Sequence, residues 1–193
     1  MNTDMRRSYD ALFASSNIHK YKEAKEILAK YGIRLGFFKF CATEIQSDSL
    51  SKIARKKALD AYRKCKTPVI IEDDGIFVKS LNGFPGPYSS YVYDTIGNLG
   101  VVKLVKKDRR AEFCAIISYC DEKKKPVQFV GITKGSIPKK PRGGGWGYDP
   151  VFVPRGTAKT YGQMTEKNQL SHRYRALAKF ASWYLRKRKS SGR

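Results

Sequence analysis

Val69-Ile70-Ile71-Glu72-Asp73-Asp74-Gly75 is a short apolar run behind Pro68 that stops abruptly in three adjacent carboxylates and a glycine. The run is unbroken, which predicts a strand over 69–71 covered on both faces. In open α/β sheets the carboxyl ends of such strands are where ligands bind. The chain has 39 Lys plus Arg against 17 Asp plus Glu, a net charge of +22, so these acids are not needed for solubility. Neighbouring carboxylates raise one another's pKa unless a cation neutralises them, and hard oxygen donors suit Mg²⁺, often shared with substrate phosphates. A structural reading stands beside this one: Asp74-Gly75 ahead of Ile76-Phe77-Val78 is a strong hairpin signal. The two are compatible.

Upstream, Ala11-Leu12-Phe13-Ala14 predicts a buried strand. A polar turn with Ser15, Asn17 and Lys20 follows, then Tyr21, Ala24, Leu28 and Tyr31 at helical spacing before Gly32. Ser and Asn at this place cap helices. The N–H groups of a helix start also bind phosphate, and Lys20 is positioned to help, although no Walker pattern is present. Residues 33–40 predict a second strand. Ser47-Asp48-Ser49 then caps a helix whose buried stripe runs through Leu50, Ile53, Ala54, Lys57, Ala58, Ala61 and Tyr62, Lys57 contributing its aliphatic stem. Glu44, just after the second strand, reads either as a loop residue or as a metal ligand.

Downstream, the Gly- and Pro-rich residues 81–89 predict a shaped loop entering a helix that runs to Gly97, with Asn98 capping a short second helix. Residues 111–120 and 127–134 flank a charged turn and predict a long β-hairpin. Residues 138–150 combine cations, flexible backbone, Trp146 and Tyr148. They suit a mobile linker whose Trp146 plugs a core edge, or stacking on a base beside its phosphates. A last strand covers 151–153. The final helix begins near Ser171, where Ser171-His172-Arg173 place donor-rich side chains at its N-terminus.

A chain of 193 residues with 41% hydrophobic content supports one core, so the expected organisation is a loose extension over 1–10, a single domain over 11–185 and a basic tail over 186–193. No apolar run is long enough to span a bilayer or to form a signal peptide, which points to a cytoplasmic protein without membrane contact. Four cysteines without a CxxC pair, and only two histidines, argue against zinc. The net charge favours polyanionic ligands, whether nucleotide, RNA, DNA or membrane. Arg186-Lys187-Arg188-Lys189 reads as a solvated helix end or as a weak nucleic-acid contact.

Taken in order, six segments resemble the inosine triphosphate pyrophosphatase family. They are Ser15-x-Asn17-x-x-Lys20, Glu44-Ile45-Gln46, Glu72-Asp73-Asp74-Gly75, Asn82-Gly83-Phe84-Pro85-Gly86-x-Tyr88-Ser89, Gly145-Trp146-Gly147-Tyr148-Asp149-Pro150, and Glu166-Lys167-Asn168-x-x-Ser171-His172-Arg173. The resemblance implies an elongated, two-lobed α/β fold with a central mixed, strongly twisted sheet flanked by helices, a cleft between the lobes, and a homodimer. It implies Mg²⁺-dependent hydrolysis of ITP, dITP and XTP to the monophosphate and pyrophosphate. It further implies a metal site of Glu44, Glu72 and Asp73, with Asp73 orienting or deprotonating the attacking water. Ser15, Asn17, Lys20 and Lys167 would form the triphosphate cradle. Trp146 would stack on the base, with Gly147, Tyr148, Asp149, His172 and Arg173 in the base-recognition group. Trp146 stands where the family commonly has Phe, and Asp74 where it often has Ser or Thr. Two rival readings are a related pyrimidine-directed enzyme and a basic nucleic-acid-binding protein. The second has no use for carboxylates that repel a phosphate backbone.

Overall fold

The computed structural model describes residues 8–43 and 45–191, so Glu44 lies outside the described residues. The strands are β1 (Ala11–Ser15), β2 (Leu35–Lys39), β3 (Val69–Val78), β4 (Pro85–Gly86), β5 (Arg110–Cys120), β6 (Val127–Ser136) and β7 (Val153–Pro154). The α-helices are α1 (Ile18–Ala29), α2 (Leu50–Cys65), α3 (Ser89–Leu104) and α4 (His172–Ser191). Hydrogen bonding orders the strands β2-β1-β3-β5-β6-β7, with β4 added to β3, in a mixed sheet. Among the described residues no helix is long and apolar enough to cross a membrane.

The chain divides into two compact units. The first comprises the described parts of Met1–Asp73, Ile116–Gly131 and Arg173–Arg193; the second comprises Asp74–Ala115 and Ile132–His172. In the first, β1, α1, β2, α2 and β3 follow one another as two crossover units, and β1 pairs in parallel with both β2 and β3. Asn17 starts α1 by accepting the N–H groups of His19 and Lys20 at 2.9 and 3.3 Å. Ser49 caps α2, which Lys66 closes in the left-handed region at φ 54°. Leu12, Ala14, Ala58, Tyr62, Val69 and Ile71 belong to one core cluster here. Leu177, Phe180 and Ala181 are fully buried on α4. Each such large apolar side chain contributes about 1.5–3 kcal/mol.

The expected hairpin at Asp74-Gly75 does not form. Strand β3 runs straight through it for ten residues, so the acids stand in mid-strand and not at a strand end. The reason is the close approach of β4, which pairs Gly86 with Ile76 and Pro85 with Phe77. A Cβ on Gly75 would lie 2.3 Å from the Gly86 carbonyl oxygen, so only glycine lets the two backbones meet.

The second unit has its own core of Ile76, Val92, Phe113, Tyr148, Phe152 and Tyr161 among others. Helix α3 is broken at Gly97 (φ 62°, ψ −172°), where two helices were expected. Residues 138–150 are not a mobile linker. The Arg142 N–H donates to the Pro150 carbonyl, the Gly144 N–H to that of Gly162, and the Thr160 hydroxyl to that of Arg142. At the other end of the chain, residues 186–189 lie on the last helix, as the helix-end reading expected, and α4 continues through Ser191.

Candidate active site

In the first unit, β1 is flanked by β2 on one side and β3 on the other, and the chain reverses direction of winding there. That is a topological switch point, and ligands bind outside the carboxyl ends of the strands that meet at one. The parallel register Leu12↔Val69 and Phe13↔Ile70 carries forward to set Ser15 level with Glu72. The Ser15 hydroxyl accepts the Asn17 N–H at 3.0 Å, so both polar residues of this turn shape the start of α1. Lys20, on the first turn of α1, brings its ammonium to 3.9 Å from Glu72.

Glu72 and Asp73 are consecutive strand residues, so their side chains leave opposite faces of the sheet. On one face the Arg173 guanidinium forks onto Glu72, with Nε donating at 2.9 and 2.7 Å and Nη2 at 2.5 Å, while Nη1 donates to Glu23 at 2.5 Å. The Glu72 side chain is fully buried and Arg173 is 1% exposed. On the other face Asp73 lies 2.9 Å from the Lys57 ammonium of α2. Lys57 belongs to the stripe expected to pack through its stem alone. Its charge has a partner that no spacing within α2 reveals.

The expected metal ligands are therefore not equivalent. Among the described residues no three His, Cys, Asp or Glu side chains gather closely enough to hold a metal. Both Glu72 oxygens accept from Arg173, which leaves that carboxylate poorly suited to a cation. Asp73 meets the Lys57 ammonium, and as a hard carboxylate donor it could also serve as a ligand to Mg²⁺.

In the second unit the Lys167 ammonium donates to Asp149 at 2.8 Å and lies 5.0 Å from the Trp146 ring centroid and 5.8 Å from that of Tyr161. Asp149 and Lys167 are both buried. Trp146 is half-buried. Gly145 has φ 95°, and a Cβ there would meet the Asp149 carboxylate at 2.8 Å, so the glycine is required for this turn. His172 stacks on Phe113 at 4.1 Å with rings 3° from parallel, and its Nε2 is 3.7 Å from the Asp74 carboxylate. Gly147 and Tyr148 are tied to α3: the Gly147 carbonyl accepts from Asn98 at 3.0 Å, and the Tyr148 hydroxyl donates to the Ser89 carbonyl at 2.7 Å. Burial, with the nearby Asp94 carboxylate, pushes the Tyr148 hydroxyl above its ordinary pKa and keeps it a donor.

Thus Lys20, Glu72, Asp73 and Arg173 gather with Glu23 and Lys57, while Trp146, Asp149 and Lys167 gather with Tyr161, and His172 with Asp74 and Phe113. Glu23, Lys57, Phe113 and Tyr161 were not legible as site residues. The last two are simply core aromatics in sequence.

The residue pattern of the Ham1 family matches residues 11–183. A dITP/XTP pyrophosphatase of Methanopyrus kandleri is 48% identical over 178 residues, covering 90% of this chain and 95% of its own. One from Methanothermobacter marburgensis is 44% identical over 89% of this chain and 94% of its own. Among solved structures, a HAM1 protein from Coxiella burnetii superposes with a TM-score of 0.77 at 26% identity, covering 91% of this chain and 99% of that one.

Proposed function

Because the chain belongs to the Ham1 family, we propose that it hydrolyses the deaminated purine nucleoside triphosphates ITP, dITP and XTP to the monophosphate and pyrophosphate, with Mg²⁺, and so keeps these bases out of DNA and RNA. The observation that carries the reading is the Asp73–Lys57 pair on the strand beside the Asn17-capped helix start. A carboxylate, lysines and helix N–H groups are what a metal-bound triphosphate needs from a protein, since phosphoryl transfer asks for positioning and charge neutralisation more than covalent help.

In this reading Asp73 orients and deprotonates the attacking water, and Lys57 fixes the carboxylate by direct contact. Asp73 and Glu44 would hold Mg²⁺, which when bound polarises phosphoryl oxygens and offsets their charge. The Asn17 cap presents the first turn of α1 to the phosphates, with Lys20 adding a cation. Arg173 and Glu72 hold the frame, because their charges already satisfy each other.

Trp146 offers a face for the purine, and Lys167 and His172 supply donors. A purine 6-oxo group accepts from such donors. An adenine 6-amino group would leave them unpaired, a mismatch of about 1–3 kcal/mol per buried group. The test is incubation with Mg²⁺ and, separately, ITP, XTP, dITP, ATP, GTP, dTTP and UTP, followed by product identification. Rapid pyrophosphate release from the first three is expected, with ATP and GTP nearly untouched. A preference for pyrimidines, or no turnover at all, would overturn the assignment.

We also place a homodimer contact on α3, where Tyr91 is 70% and Leu99 63% exposed, with Tyr88 and Ile96 beside them. Large apolar side chains grouped this way mark association surfaces. Light scattering of Tyr91→Lys should show a monomer. Four cysteines carried as free thiols fit a reducing, cytoplasmic setting.

A further inference from the structure

Helix α4 carries seven Lys or Arg and no Asp or Glu over its twenty residues. Some of those cations are drawn inward or sideways by carboxylates. Arg173 is held by Glu72 and Glu23, Lys187 by Asp121, and Arg188 by Asp10 at 3.1 Å. Arg175, Lys179, Arg186 and Lys189 are all exposed. With exposed Ser182 they fall at i, i+4, i+7, i+11 and i+14, so they form one straight stripe along the helix. The stripe spans about 21 Å at 1.5 Å per residue. At its C-terminal half, the Lys187–Asp121 pair brings in the turn that also carries Lys123, Lys124 and Lys125, alongside Glu122. Lys179 is anchored by donating to the Val130 carbonyl at 2.7 Å.

We infer that this stripe is a binding surface for nucleic acid, gripping the phosphodiester backbone without reading sequence. Two features select that partner over an anionic membrane. The apolar side of α4, with Ala176, Leu177, Phe180 and Ala181, is fully buried, so the helix has no face to insert among lipid tails. The cations also lie in a single row, which matches a strand of phosphates better than a two-dimensional array of headgroups. Because the rest of α4 is packed, it lies along a backbone and does not enter a major groove. Such binding draws its affinity from counterion release, so four phosphate contacts set a slope of log K against log salt near −3.6 on duplex DNA and near −2.8 on a single strand. The surface shares no residue with the proposed catalytic groups.

The test is fluorescence anisotropy of the full chain with labelled twenty-nucleotide single-stranded RNA, single-stranded DNA and duplex DNA at several salt concentrations. Arg175→Gln/Lys179→Gln/Arg186→Gln/Lys189→Gln should weaken binding at least tenfold and flatten the salt slope by about three, while turnover of ITP stays unchanged and certifies the fold. A control, Lys103→Gln/Lys106→Gln/Lys107→Gln/Lys139→Gln, removes equal charge elsewhere and should change affinity less than threefold. Equal weakening by both variants would reduce the effect to net charge and overturn the inference. So would absence of binding to all three nucleic acids, or stripe-dependent binding to phosphatidylserine vesicles alone.

Discussion

The two clusters built from the family motifs use different physics. Around Glu72, Asp73 and Arg173 the contacts are between full charges, many of them buried, with a forked guanidinium at the centre. Around Trp146, Lys167 and His172 a buried Lys167–Asp149 pair and the His172–Asp74 contact are joined by stacking of rings and of an ammonium over rings. The first suits a ligand made of charge, the second a flat ring with polar edges. Damage to the first should therefore appear in turnover or in folding, and damage to the second in substrate choice.

The largest effect belongs to Asp73. Asp73→Asn keeps shape but removes the charge opposite Lys57, and kcat for ITP should fall about 10²–10⁴-fold, the range of a general base, with KM within a few-fold of the parent. Steady-state kinetics decides this, and near-normal kcat would move the chemistry elsewhere. Arg173→Met comes next. It takes the guanidinium from the buried Glu72 and the half-buried Glu23, which costs about 3–5 kcal/mol of stability in urea unfolding. An unfolding midpoint that stays put, with discrimination between ITP and ATP lost, would return Arg173 to base recognition and blur the contrast.

Trp146→Ala should raise KM for ITP by about 5- to 150-fold, corresponding to 1–3 kcal/mol of stacking, and leave the unfolding midpoint nearly fixed because the ring is half-buried. His172→Ala should narrow the ratio of kcat/KM between ITP and ATP within that same range. A change in kcat alone would break the division of labour. The smallest effect concerns strand β5, whose Cys114 lies in the second unit and Cys120 in the first. Burial raises both thiols to about 11, helped by nearby carboxylates. Raised pKa values leave roughly one thiolate in a thousand at pH 8, so iodoacetamide should modify exposed Cys41 first, half-buried Cys114 next and Cys120 last. Both should speed up as pH climbs towards 11. Mass spectrometry over time reads the order, and a reversal would show the first unit to be the looser one.

Much of this was legible from local chemistry. Asn17 and Ser49 announced their helices because capping depends on three or four consecutive residues. The unbroken apolar run at 69–71 announced a strand covered on both faces, and ordered motifs announced the family. Lys57 was misread because a lysine in a packed stripe looks the same whether it covers apolar surface or meets an acid, and Asp73 lies on another element. Asp74-Gly75 was ambiguous for a related reason. The pair permits a hairpin, but Gly75 is there to admit Gly86, and nothing near it in sequence says so.

By itself, then, the sequence determined the succession of strands and helices, the surplus of positive charge and the identity of the motif residues, since each follows from composition or from contacts a few residues apart. Tertiary structure alone decided that Glu72 and Asp73 part to opposite faces, that Arg173 pairs with Glu72 and Glu23, and that four cations align along one exposed side of α4. Those outcomes depend on which distant side chains share a buried space, where an unpaired charge is too costly to leave.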